Sequence, residues 1–364
     1  SKEVENKTIL LQTLLDQRII DADSSCVPEQ FDGVFRQHML GVVEAELGSN
    51  EGLTSEQILD AYFGSAAVIN ANGKVLNDTL VEDAADAVVN VFNGYIDRIV
   101  STPVVFNDYV KLFHESKRVI VGLRDSVTGA TMGQSVNNIT TQFGKVAVKN
   151  DKFFNMATPI VLTKTATSPK APVTPVAGGT PTAAVDADTK TNFGNFAGSY
   201  GYAITAKNRY GESAPLNLTS TAAQAVTASQ SVDLQFTAGT GGAYQADCFV
   251  IYRTLKDAAL NNTTKYYPMF EVPVNQLASG WDGAAATKVR DRNRFVAGTK
   301  SALVYYNDSQ INEYLQFADT MKMDFAITAP SRRFAILNYG TPVLYQPAKI
   351  CRIINIGKDG LPTT

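Results

Sequence analysis

Between Asn192 and Val274 apolar side chains recur at every second position: Tyr200, Tyr202 and Ile204, then Val232, Leu234 and Phe236, then Phe249 and Ile251, then Tyr267 and Met269. A period of two is the repeat of a strand with one buried face, and short runs of it separated by turns predict a β-sandwich. A segment of different texture precedes the run, Thr163 to Pro181, rich in Thr, Ala and Gly and carrying Pro169, Pro172, Pro175 and Pro181. Proline fixes φ and removes a backbone donor, so this segment is expected to be a semi-extended linker. Any fold for this chain must accommodate a β module in its middle.

The residues before the module follow a helical period instead. Val4, Leu10, Leu11, Leu14 and Leu15 predict an amphipathic helix over 4–20. Phe31, Val34, Phe35, His38, Met39, Val42, Val43 and Leu47 predict a second over 28–47, stopped by Gly48. Thr54 with Gln57, and Thr79 with Glu82, are capping-box pairs that should each open a helix. The one opened at Thr79 is expected to run through Val81, Ala84, Ala85, Val88, Phe92, Ile96 and Ile99. Beyond Pro103 the pattern predicts short β pieces, among them 118–123 and the alternating Phe143, Val146 and Val148. Strands are expected again at 334–337 and 350–356. The reading is an α+β chain with an arm or helix at 1–28, a core domain at 29–167, an inserted sandwich at 168–274, and the return of the core domain at 275–364.

With 364 residues against about 100–200 per domain, the chain is long enough for this plan. Its 45% apolar and 18% charged content excludes a disordered chain, and no apolar run approaches the 18 residues of a membrane span. A net charge of −3 conceals a gradient: residues 1–78 carry five basic against thirteen acidic side chains, and residues 287–364 carry eleven against six. Ends of opposite sign predict attraction between copies at close range. Cys26, Cys248 and Cys351 are odd in number and far apart in sequence, without a Cys-x-x-Cys pair. Neither a disulfide framework nor a zinc site is expected from them, and a reducing compartment fits.

Chemistry-bearing motifs are scarce. The two histidines, His38 within an apolar stripe and His114 within a charged run, read as structural. The sequence contains no H-E-x-x-H, G-x-S-x-G, Walker or G-x-G-x-x-G motif, so no catalytic, cofactor or metal residue is assigned and an enzyme is not expected. Asp186, Asp188 and Asn192 lack the spacing of a calcium loop, and Gly239, Gly241 and Gly242 read as a hairpin turn. What remains is basic. Lys288, Arg290, Arg292 and Arg294 alternate, so an extended chain projects all four to one face, and Arg332 and Arg333 adjoin the closing strands. Such cations serve either as a solvated strand edge or as ion pairs between subunits; Arg290, Arg292, Arg294, Arg332 and Arg333 are carried forward as inter-subunit contacts.

The order of these pieces resembles that of tailed-bacteriophage major capsid proteins with the HK-ninety-seven-like shell fold. Gln30 to Leu47 resembles the spine helix and Gly48 to Gly52 the turn after it. Val68-Ile69-Asn70-Ala71-Asn72-Gly73-Lys74-Val75-Leu76 resembles the middle signature, and Ser101 to Tyr109 the segment that follows the next helix. Ala329-Pro330-Ser331-Arg332-Arg333-Phe334, leading to Tyr339-Gly340 and Tyr345-Gln346-Pro347, is similar to the last strands of the peripheral domain. Tyr200 to Ser213 and Phe249 to Arg253 resemble strands of the immunoglobulin-like modules that some of these proteins carry. The resemblance implies a structural subunit, without cofactor, that assembles as hexamers and pentamers into an icosahedral head around double-stranded DNA. Its partners would be its own copies, with portal, scaffold, prohead protease and decoration proteins, non-specific contact with the packaged double-stranded DNA, and no membrane. Assembly in the host cytoplasm, a place in the virion, and an outward-projecting sandwich are implied too. The start at Ser1 would fit either Met removal or maturation by the protease. The alternative expectation is a tail-associated or cell-surface adhesin that binds through the sandwich.

Overall fold

The computed structural model describes residues 2–116, 136–154, 158–178, 183–219, 223–279, 288–325 and 334–358, with side chains for all of these except 113–116, 278 and 279. The first flank supplies α1 (Lys2–Asp21), α2 (Val34–Leu47), α3 (Ser55–Gly64), β1 (Val68–Asn70), α4 (Asp78–Asp86), β2 (Arg98–Ser101), α5 (Pro103–Ser116), β3 (Asn138–Thr141) and β4 (Gly144–Asn150). The middle supplies β5 (Val176–Ala177), β6 (Ala183–Ala187), β7 (Gly198–Tyr200), β8 (Tyr202–Asn208), β9 (Gly211–Glu212), β10 (Leu216–Asn217), β11 (Gln224–Val226) and β12 (Gln230–Thr237). It continues with β13 (Cys248–Arg253), β14 (Tyr267–Pro273), α6 (Val274–Ser279) and β15 (Lys288–Asp291). The second flank adds β16 (Lys300–Tyr305), β17 (Asn312–Asp324), β18 (Phe334–Leu344) and β19 (Cys351–Ile356).

The flanks share one sheet, ordered β1-β19-β16-β2-β4-β3. Strands β19 and β16, from the end of the chain, lie between β1 and β2, from its beginning, so neither flank can complete the sheet alone. The β1–β19 and β2–β4 pairs are parallel and the other three antiparallel. Every residue of β19 is buried, as befits a strand covered on both faces. On one face α4 lays Leu80, Val81, Ala84 and Ala85 against Ile99, Val146, Val304 and Ile353. On the other, Val42, Val43 and Tyr62 from α2 and α3 close over Ile354.

The middle of the chain forms two facing sheets. One is β10-β8-β13-β14 with β9 on β8; in the other, β12 pairs with β15, β6 and β5. Tyr202, Ile204, Phe249 and Ile251 from the first pack with Val232, Leu234, Phe236 and Val289 from the second, and Phe236 meets Phe249 edge-on at 5.1 Å. Ile160 and Tyr266 cover Ala203, Val250 and Tyr252 on the outer side of the first sheet.

Local signals translate unevenly into these elements. The Thr54 capping box forms as expected: its hydroxyl accepts from the Gln57 N–H at 3.3 Å and the Gln57 side chain accepts from the Thr54 N–H at 2.9 Å. Gly48 ends α2 with φ 77°, but α2 begins only at Val34. The next helix starts two residues ahead of the Thr79 box, because Asn77 caps it by accepting from the Leu80 N–H at 2.9 Å. It also stops early. After Asp86 it passes into a π-helical turn over Ala87–Val91, and Asn93 at φ 51° turns the chain away. Ile96 and Ile99 therefore do not extend the helix; Ile99 lies on β2, and both enter the same core as Val88. Their spacing marks a shared core rather than a continuous helix. The β texture expected after Pro103 is corrected too: Pro103 opens α5, where a missing N–H costs nothing, and Val105, Phe106 and Tyr109 are its buried side. The strand expected at 118–123 lies outside the described residues.

The module is wider than 168–274. Ile160 already pairs with Tyr266, and β15 contributes Val289 to the core. The proline-rich segment is docked: the Thr167 N–H donates to Glu212 O at 2.9 Å, the Asn208 side-chain amide donates to Lys170 O at 3.0 Å, and β5 joins β12. Gly239, Gly241 and Gly242 lie not in a hairpin but on the crossing between sheets, since β12 and β13 belong to opposite ones.

Candidate functional site

The basic ladder lies where the module meets the interrupted domain. On β15, Arg290 stands opposite Asp233 of β12, and donates to its two carboxylate oxygens at 2.8 and 3.2 Å and to Asp186 at 3.1 Å. Lys288 reaches the same Asp233 at 3.5 Å. Past the strand end, Arg292 donates to Asp188 at 2.5 Å, to Glu56, and to Asp60 at 3.1 Å. Arg294 donates to Glu56 and Asp60 as well. Glu56 and Asp60 are one turn apart on α3, so a single face of that helix presents both carboxylates. Lys190 closes the set on Asp60 at 3.0 Å.

Around α3 three cations thus meet three anions. Burial opposes ionisation of Asp60, but hydrogen bonds and charge from Lys190, Arg294 and Arg292 outweigh it and hold the carboxyl below its usual range. Asp188 follows the same pattern, with Arg292 overcoming burial. Arg292 is 9% exposed. Arg290, Arg292 and Arg294, expected as contacts to a neighbouring subunit, are engaged with carboxylates of their own chain. Asp188 is buried against Arg292, while Asp186, on β6, pairs with Arg290 and stays more than half exposed. Arg332 and Arg333 lie outside the described residues.

The seam continues into a buried node. Arg253, 1% exposed, donates to Asp291 at 2.6 Å, to the Asn293 side chain, and to Phe295 O at 2.9 Å. Tyr202 donates to the same Asp291 at 2.9 Å, and the guanidinium lies 4.9 Å from the Tyr200 ring centroid. Asn355 of β19 then accepts from the Val296 N–H at 2.8 Å and donates to Arg294 O at 2.8 Å. An unbroken polar chain therefore runs from the sandwich core to β19, an inner strand of the six-stranded sheet. Apolar contacts accompany it: Leu59 packs against the sandwich core, and Phe63 meets Phe295 at 5.1 Å.

His38 is structural, as its place in the stripe implies. Its Nε2 donates to Ile350 O at 2.7 Å, which leaves Nδ1 to accept from the Tyr62 hydroxyl at 2.9 Å. Burial lowers its pKa to about 4, against the favourable bond to Ile350 O, and Arg352 adds to the lowering. The side chain of His114 is outside the described set.

A second feature faces outward. Among the described residues strands β17 and β18 pair only with each other, through 13- and 11-residue strands interrupted by register shifts at Gln316/Ala318 and Ala318/Met321. Phe317 is the residue skipped at the first shift, 94% exposed, and Leu315, Met321, Met323, Phe325 and Tyr339 are exposed around it. Helix α1 buries no residue and leaves Ile9, Leu10 and Leu14 in solvent. The β17 alternation was not singled out in the sequence, because its apolar residues form no clean period. Among the described residues no helix is long and apolar enough to cross a membrane.

No protein-family model matches the chain, and no curated protein matches it.

Proposed function

We propose that the chain is a structural subunit that assembles with its own copies into a closed shell. The exposed β17–β18 hairpin carries the reading. An isolated two-stranded ribbon is marginal in water, and among the described residues neither edge of this one pairs with a further strand, while a row of large apolar side chains is exposed on it. Exposed apolar surface of this kind marks an interaction site, and the bare apolar side of α1 adds to it. Such faces suit a lattice in which many modest contacts act together. The order of pieces resembling HK-ninety-seven-like capsid proteins supplies the finer reading: hexamers and pentamers, an icosahedral head around double-stranded DNA, and an immunoglobulin-like module in the middle of the subunit.

In this reading the module is not a loose outward knob. Its base is tied to α3 through Arg292 and Arg294, so lattice strain would pass between the two domains. The same tie weighs against an adhesin whose sandwich works on a stalk. Electron microscopy of particles assembled from the purified chain tests the proposal. Closed icosahedral shells are the expected outcome; filaments, or a monodisperse monomer under all assembly conditions, would refute it.

A further inference from the structure

The N-terminal segment and the sandwich meet at a pair of thiols. Cys26 sits in the turn after α1, where the Gly33 N–H donates to Ala22 O at 2.8 Å and closes the segment. Cys248 is the first residue of β13 and lies opposite Lys207 and Pro273. Both sulfurs and a carboxylate oxygen of Glu271 lie within 4.8 Å of one another, and both cysteines are at most 1% exposed. Cys26 and Cys248, far apart in sequence, are thus neighbours in the fold, both as free thiols, while Cys351 lies apart in the six-stranded sheet.

We propose that Cys26 and Cys248 form a reversible disulfide that staples the N-terminal segment to the sandwich. The oxidant is a small-molecule disulfide. Glu271 accepts from the Cys248 thiol at 3.8 Å and is the group placed to take its proton. The Cys248 thiolate attacks one sulfur of the oxidant, the oxidant's S–S bond breaks, and one thiolate leaves and is protonated. Cys26 then loses its proton and attacks the Cys248 sulfur of the mixed disulfide, and a second small thiol departs. Two protein S–H bonds and one S–S bond are lost, one S–S bond and two small-molecule S–H bonds form, and two electrons pass to the oxidant.

A cavity of about 220 Å³ lies next to the pair: Asp23 and Ser25, which flank Cys26 in sequence, line it together with Glu271 and Pro273, although neither sulfur does. Contact with Cys248, then burial, holds the Cys26 thiol far above its ordinary range. The Cys26 thiol thus rests protonated, and the bridge forms slowly. A thiolate-bound metal is the rival occupant. It is disfavoured because Lys207 already holds the other Glu271 oxygen at 2.6 Å, which places a positive charge at the edge of a set of only three donors.

The test uses the full chain, purified reduced and metal-free, then incubated with oxidised glutathione. Thiols counted in denaturant should fall from three per chain to one, and a non-reducing peptide map should join Cys26 to Cys248. The melting midpoint should rise on the order of 5 °C, because the bridge closes a long loop. Cys26→Ser should abolish the bridge and the rise while melting near the reduced wild type. If that variant does not fold, the wild-type map decides alone. Three remaining thiols, a bridge through Cys351, or one zinc ion retained per chain with both thiols protected from the oxidant would each overturn the proposal.

Discussion

At the scale of single residues, Arg253 and His38 carry the greatest stakes. Arg253 is a charge removed from water, tolerable only because Asp291, Asn293 and a carbonyl surround it. Arg253→Met keeps the volume but leaves Asp291 buried with only the Tyr202 hydroxyl and the Asn293 N–H as donors. Breaking such a pair costs about 3–5 kcal/mol, to be read from urea unfolding. The double variant Arg253→Met, Asp291→Leu should recover part of the loss, because no lone charge then remains.

His38 makes stability depend on acid. Its pKa is 6.5 when unfolded and about 4 when folded, so between these values the unfolded state binds the extra proton. Stability is full above pH 6.5 and falls as the pH drops toward 4, by about 3 kcal/mol over the whole window. His38→Gln removes this term. Urea unfolding of the two proteins at pH 7 and pH 4.5 should show the wild type losing more; equal losses would place the acid sensitivity elsewhere.

At the scale of elements, α3 is the hinge between domains. Its capping box was readable in the sequence because a cap is satisfied within four residues. Its role was not, because Glu56 and Asp60 look like the solvated face of any helix until Arg292 and Arg294 are folded against them. Replacing both arginines by Met leaves the two carboxylates without their guanidinium partners, and Asp60 with Lys190 alone. Faster hydrogen exchange is expected in α3 and in 292–296, with β8 and β13 unchanged; uniform exchange would mean that the seam does not hold the domains. Salt should have little effect on the wild-type seam, since screening acts weakly on buried pairs.

The hairpin behaves oppositely. Phe317→Asp with Met321→Asp changes exposed positions, so the melting temperature of the unassembled chain should stay within about 2 °C of wild type. Particle yield should collapse, as measured by sedimentation. Particles formed normally by this variant would move the assembly surface away from β17.

At the scale of the whole molecule, the insertion has firm edges. Removing 168–274 would strip Ile160 and Val289 of their partners and leave β15 without β12. That deletion should aggregate, whereas one taken from 158 to 291 with a linker should keep the six-stranded sheet; sheet content by circular dichroism and solubility decide between them. The charge gradient also changes meaning at this scale. The acidic head and basic tail meet, but within one chain, at Glu56 and Asp60 against Arg292 and Arg294.

What the sequence by itself determined is the set of features satisfied locally or by period: the sandwich strands, the box at Thr54, the Gly48 stop, and the structural role of His38. Each rests on neighbours a few residues away or on a repeat that needs only one buried face. Only the tertiary structure decided that Ile96 and Ile99 leave the helix, that Pro103 opens one, that the ladder turns inward, and that Cys26 meets Cys248. Those outcomes join residues 26 with 248, 56 with 292 and 70 with 355. Partners so far apart leave no period in a sequence; they become neighbours only when β19 and β16 insert between strands made at the other end of the chain.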